Sequence, residues 1–336
     1  MQAPATGPSS FTMASGFPAS TATRNNYGVD PNYRVAYVQL WNLNIQRELS
    51  STVLLNVGYT GSKGTALDML RAPNRGPAGI LIPSVESFTW ETSQGSSILH
   101  AGSIRLRKRM ARGFSAGGTY TYSKSIDNAG SIGGGAQVVA QDDTNLRAER
   151  GLSSFDQRHK LSADGMLELP WGEGRRWMTR PSVARTAFGD WMVQTTITAA
   201  SGTPYTARVV GSYSDVAGGV NGSLRANYNG EAIQIGDRTW LHWFNTAAFT
   251  APASGTYGNA GRNTIIGPAS WVMNFVLSKN FPIREGQSME VRAEADNVLN
   301  HANAGGIDTN LTSSTYGEVI SVGSMRKMVL SARYRF

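Results

Sequence analysis

Cysteine is absent from the 336 residues, so the chain has neither a disulfide framework nor a thiolate metal site. Charged residues make up only 16%, against roughly 25% in soluble domains. No run approaches the ~18 consecutive apolar residues of a membrane helix, and positions 1–34 carry no apolar segment resembling a secretory signal. Lack of a long apolar run does not make a chain soluble, because membrane-spanning strands alternate and never score as hydrophobic runs. Enzyme signatures are missing as well. His100, His159, His242 and His301 stand alone, with no H-E-x-x-H helix, and no G-x-S-x-G elbow occurs, so no metal or cofactor is expected. The "GGG" at 133–135 precedes no helix-forming run and reads as loop glycine rather than a phosphate cradle. An outer-wall hydrolase would need a Ser–His pair, for which His159 and Ser162 are the candidates. The formal charge of +8 comes from basic residues scattered singly, apart from "RLRKR" at 105–109, which argues against nucleic acid as a partner.

What the chain does contain is glycine, 38 residues of it, and alternation. In "WNLNIQRE" (41–48), Trp41, Leu43 and Ile45 oppose Asn42, Asn44, Gln46 and Glu48. Trp271, Met273, Phe275, Leu277 and Phe281 alternate with partners of the other face, and Met289, Val291, Ala293 and Ala295 oppose Glu290, Arg292, Glu294 and Asp296. Ile104 and Leu106 likewise oppose Arg105, Arg107 and Arg109. Weaker alternation at 53–61, 114–124, 158–169 and 190–201, with the closing "KMVLSARYRF", completes nine strands of about ten residues. About ten residues is what a tilted strand needs to cross a bilayer.

A soluble sandwich would alternate too, so the connections decide. Short links at 49–52, 111–113 and 282–287, and a longer one at 170–189, take turns with Gly/Ser/Asn/Asp-rich stretches at 62–97, 125–157, 202–270 and 299–326. Short periplasmic turns and long outer loops are the habit of an outer-membrane barrel, and several charges per polar face suit a wet lumen better than a dry core. The expected fold is therefore all-β, a transmembrane antiparallel barrel of nine to ten strands located in the bacterial outer membrane. Nine strands beginning outside do not complete a single-chain barrel, which has an even number. The chain is thus expected to be the C-terminal portion of a longer protein, unless a tenth strand hides near 203–211 or 85–91. Residues 1–34 would be an extracellular loop or irregular lead-in, and 35–336 the barrel portion.

The stretches "YVQLWNLNIQREL", "IRLRKRMARGFSAGGTYTYSKSID", "NLRAERGLSSFDQRHKL", "WFNTAAF", "GTYGNAGRNTIIGP" and "VRAEADNVLNHAN", with the terminal "RYRF", together resemble the Oar-like TonB-dependent receptors of Gram-negative bacteria. The resemblance covers about residues 30–336, in order. It implies a barrel of about 22 strands preceded by a plug and a carboxypeptidase-regulatory-like domain, both absent from this chain. It also implies energised uptake of a large or scarce solute, with the TonB complex reached through the missing plug.

Arg105, Arg107, Arg109, Glu290, Arg292, Glu294 and Asp296 are then lumen candidates, either drawing in solute or pairing with one another across strands. Trp240, Trp243 and Phe244 in "DRTWLHWFNTAAF" are outer-loop binding candidates, with loop self-packing as the alternative. "QDDTN" (141–145) is oxygen-rich but lacks the EF-hand spacing for calcium. Met328, Leu330, Ala332, Tyr334 and Phe336 would face lipid, and a terminal Phe336 beside Tyr334 resembles the signal read by the barrel assembly machinery. The competing function is a structural or adhesive surface protein that binds a partner through its long loops, or a fragment with no function of its own.

Overall fold

The computed structural model describes residues 26–76, 79–83, 85, 88–128, 140–210 and 224–336. Most of the expected lead-in and the "GGG" loop at 133–135 lie outside these.

Nine strands form one antiparallel meander: β1 Tyr37–Ser50, β2 Val53–Arg71, β3 Phe88–Ala111, β4 Phe114–Asp127, β5 His159–Glu168, β6 Trp191–Ala200, β7 Ser270–Arg284, β8 Gln287–Asp296 and β9 Lys327–Arg335. Each pairs with its neighbours in sequence, two for the inner strands and one for β1 and β9. No crossover connection is needed anywhere in the path, because antiparallel neighbours are joined end to end. The hairpin at 112–113 has Arg112 at φ 54° and Gly113 at φ 78°. Two consecutive left-handed residues match the right-handed twist of the flanking strands, and glycine takes the second without strain.

The meander puts the short links (51–52, 112–113, 285–286 and the longer 169–190) at one end of the sheet, and every long connection at the other. Two strands are longer than the alternation indicates. β2 has 19 residues and β3 has 24, and their ladder continues past Gly64–Ser97 to Arg71–Trp90 through irregularities around Leu67. The composition of 62–97 reads as loop, yet its first and last parts are strand projecting beyond the rest of the wall. The short segment Asn26–Val29 adds to Phe88–Glu91 in parallel.

Neither hidden-strand candidate adds to the wall. Pro204–Tyr205 pairs only with Ile265–Ile266 inside a loop, and residues 88–91 are already the start of β3. β1 and β9 each have one neighbour in the path, and every residue of both is exposed. Among the described residues the sheet is open.

Apart from Met69 and Ala295, the buried apolar residues among those described lie outside the nine strands. Ala207, Ala226, Phe244, Ala248, Phe249, Ala260, Ile265 and Ile307 cluster where connection 201–269 packs against 297–326. The long connections therefore form a folded cap on one end of a sheet whose two faces are left to their surroundings.

Candidate functional site

Register converts the alternation into two continuous faces. One row runs Ile45, Val57, Ile104, Tyr120, Leu161, Ala199, Trp271 across seven strands. The adjacent row on the opposite face runs Gln46, Asn56, Arg105, Thr119, Ser162, Thr198, Val272 over the same strands. Toward the C-terminal edge, Val193, Leu277, Ala293 and Leu330 align on the apolar face. Large apolar residues on that face are open: Leu43 is 62% exposed and Leu330 is 82% exposed. Such a surface needs an apolar solvent.

The polar face carries the predicted charges, and it pairs most of them. Arg107 reaches Asp164 at 3.4 Å across the intervening strand. Gly117 stands between them in register, and a Cβ there would lie 2.7 Å from Asp164 Oδ1 and 3.1 Å from Arg107 Nη1. The missing side chain is what lets two charges meet over a strand. Arg109 lies 3.8 Å from Glu48, Arg335 lies 2.9 Å from Glu290, and Arg292 pairs with Glu294. Arg105 makes no ion pair among the described residues, and Asp296 faces Lys327 in register. Exposed pairs of this kind contribute little stability, about 0–1 kcal/mol each. Their consequence is a hydrated, charge-balanced wall.

The histidines have structural partners. Tyr59 OH lies 2.7 Å from His100 Nδ1 and accepts from Trp41 Nε1 at 3.3 Å, while Tyr120 OH lies 2.7 Å from His159 Nδ1. His301 stacks near Trp271 at 4.8 Å. With Tyr122 against His159, these rings form a belt at the cap end of the apolar face. The Ser–His hydrolase pair is not formed, because three residues of separation put His159 on the apolar face and Ser162 on the polar one. No group of three metal-ligating side chains occurs among the described residues.

In the cap, an acid–arginine network joins connections far apart in sequence. Glu149 Oε1 accepts from Arg225 Nη1 at 2.7 Å and from the Gln141 amide at 2.9 Å. Gln141 in turn accepts from the Arg225 amide at 2.6 Å and donates to Gly258 O at 2.8 Å. Arg262 donates to Glu149 O at 2.7 Å and pairs with Asp127. Asp143 takes a bidentate bond from Arg71, 2.7 Å on each side. Asp142 accepts from the Thr144 amide and hydroxyl, so both carboxylates of "QDDTN" take part in holding the fold.

Burial opposes the charge of Asp308, yet hydrogen bonds from Ser313, the Asn310 amide and Thr315 hold its carboxyl below the usual range. Burial, then the nearby Asp308 charge, pushes the Tyr316 phenol up.

The aromatic trio of the largest connection divides. Phe244 is 2% exposed and sits edge-on to Tyr316 and Phe249, which corrects the expectation that it is open to a partner. A full phenyl ring amid alanines and Ile265 is removed from water by the self-packing of its own loop. Trp243 is half-buried and donates Nε1 to Ile266 O at 3.0 Å. Trp240 is 41% exposed and remains a surface residue. The sequence missed the network residues Glu149, Arg225 and Arg262. It also missed Lys279, which shares the apolar face with Leu277 and Phe281.

A family model described as "Outer membrane beta barrel domain" matches residues 1–328. The chain belongs to that family. Its fold is similar to that of the outer membrane transporter YddB from Escherichia coli, with a TM-score of 0.56 at 13% identity over 94% of this chain. The chain spans only 35% of that transporter's length. The FrpB iron transporter of Neisseria meningitidis gives a TM-score of 0.47 at 9% identity, covering 92% of this chain and 33% of the other. No curated protein matches.

The chain is thus an outer-membrane β-barrel wall whose apolar face meets lipid. From Trp271 to Phe281, ten steps along β7, is about 33 Å of strand at ~3.3 Å per residue. Tilted by about 40°, that spans roughly 25 Å, the height of the apolar band of such barrels. Tyr334 and Phe336, stacked at 6.2 Å, stand at its turn-side edge.

Proposed function

We propose that the chain is the C-terminal portion, over 35–336, of the barrel of an Oar-like TonB-dependent receptor, and that the whole protein imports an unidentified large or scarce solute with energy delivered by the TonB complex. Residues 1–34 then lead in from an outer loop, and the plug and N-terminal domains lie in the part of the protein that this chain does not include. The observation that carries the reading is the open nine-strand sheet with a charge-balanced polar face. Nine antiparallel strands closed on themselves would bring β1 beside β9 in parallel. Strands added to both edges instead would complete a wide barrel, and its wet wall would line a passage or contact a plug. Arg105, Asp296 and the paired charges around them belong to that wall. Trp240 remains the candidate of the three aromatics for contact outside the cell.

The test is accumulation of labelled scarce solutes, such as ferric siderophores and oligosaccharides, in cells making the protein within its complete reading frame. Import should raise accumulation of one of them about tenfold or more over a deletion strain, and a protonophore should abolish the difference. Surface binding that survives the protonophore, with no label reaching the periplasm, would favour the adhesive reading. We also propose that Tyr334 and Phe336 are read by the barrel assembly machinery. Deleting Phe336 should sharply reduce the heat-modifiable protein in outer-membrane fractions, and an unchanged yield would sink that assignment.

A further inference from the structure

Three of the four turn-side links are as short as hairpins permit; the fourth, 169–190, folds into a structure of its own. Trp177 donates its amide to Pro170 O, and Gly172 to Trp177 O, closing a small loop. A six-residue helix, α1 Val183–Phe188, follows, capped by Ser182 Oγ accepting from the Arg185 amide. Two residues of the lipid face hold the end of that helix. Lys279 Nζ donates to Thr186 O and Gly189 O, each at 2.6 Å, and Trp191 Nε1 donates to Ala187 O at 3.0 Å. Lys279 and Trp191 are directly opposed in register on the apolar face, beside Leu277 and Phe281. The helix is therefore anchored to the outside of the wall, at the turn-side edge of the lipid band. A lysine there is tolerable because the last carbonyls of α1 satisfy its ammonium.

The face that α1 turns away from the wall is apolar and uncovered. Val183, Ala184, Ala187 and Phe188 follow helical spacing on one side, with Val183 88% exposed and Phe188 64% exposed. Trp171, Trp177 and Met178 of the same link are exposed too. Arg176 lies over the Trp177 ring at 5.0 Å, and Arg180 is exposed; neither has an ion pair among the described residues. By contrast, Arg175 and Arg185 are bound to Glu168 and Glu173.

We infer that 169–190 is an interfacial anchor. α1 lies in the periplasmic leaflet with Val183 and Phe188 among the upper acyl carbons, and Arg176 and Arg180 bind the phosphates of anionic phospholipids. Two observations select a lipid leaflet over a protein partner: the helix face continues the lipid band of the wall, and two unpaired cations flank its aromatics, where headgroup phosphates lie. The inference rests on the membrane placement of the wall and not on import, so it stands or falls independently of uptake.

The absence of cysteine supplies the test. An environment-sensitive fluorophore on Phe188→Cys, in the assembled protein reconstituted with phosphatidylglycerol and lipids brominated near the headgroup end of the acyl chains, should be quenched at least about twofold more than one on Glu285→Cys in the β7–β8 turn. Adding Arg176→Glu and Arg180→Glu should remove about half or more of that quenching, and should change little in bilayers of phosphatidylcholine alone. Equal quenching at 188 and 285 would overturn the anchor. Quenching indifferent to the two arginines in phosphatidylglycerol would overturn their assignment to phosphate.

Discussion

Glu149→Ala is expected to destabilise the outer cap by about 3–5 kcal/mol, the cost of leaving a buried guanidinium without its partner. Glu149 and Arg225 are both nearly inaccessible, with side chains 5% and 6% exposed. The same carboxylate oxygen also satisfies the Gln141 amide, and Gln141 orients both the Arg225 amide and the Gly258 carbonyl. No small rearrangement replaces it, because the chain at Gly258 already runs so close to Arg225 O that a Cβ would approach within 2.0 Å. Hydrogen exchange at the amides of Gln141 and Arg225 should accelerate by two orders of magnitude or more, about 1.4 kcal/mol per tenfold. Exchange along β5 and β6 should stay as it was, since their ladders are held by strand neighbours and not by the cap. The paired replacement Glu149→Met with Arg225→Met should recover part of the loss at Arg225, because it removes both charges together, while the Gln141 amide, left without its acceptor, stays fast-exchanging. If the single variant kept the protection of the native protein, the network would be an incidental surface contact and the cap would owe its order to the Phe244 cluster alone.

The wall was legible in the sequence because its two faces meet different solvents. A row such as Ile45, Val57, Ile104 and a row such as Gln46, Asn56, Arg105 leave a period of two in every strand they cross, whatever the rest of the chain does. The same reading stopped short at Gly64 and Ser97, where small residues weaken the alternation although the ladder continues. The cap left no such trace. Its contacts join positions 76 and 135 apart, as in Arg225–Glu149 and Arg262–Asp127, and no local period marks an arginine that will be buried. Lys279 was hidden for a related reason: in a strand of apolar residues a single lysine looks like an exception, and only the helix carbonyls across the hairpin explain it.

Sequence alone also could not separate Phe244 from Trp240, four positions apart in one aromatic run, and the contrast between them gives the second large effect. Phe244→Ala should cost about 3–5 kcal/mol, the loss of a buried ring plus the cavity it leaves among Ala207, Ala248 and Ile265. Relaxation is limited, because Phe249 and Tyr316 meet the ring edge-on from two sides, at 6.1 and 5.4 Å, and Tyr316 is held on 297–326. Losing the ring therefore uncouples two connections at once, and limited proteolysis should cut both 224–269 and 297–326 far faster than in the native protein. Trp240→Ala, at a side chain 41% exposed, should leave that proteolysis within about twofold of native. Equal resistance in the two variants would mean that the cap does not depend on its buried cluster, whereas a sensitive Trp240 variant would place that tryptophan in the packing of the loop and remove it from the surface available to a partner.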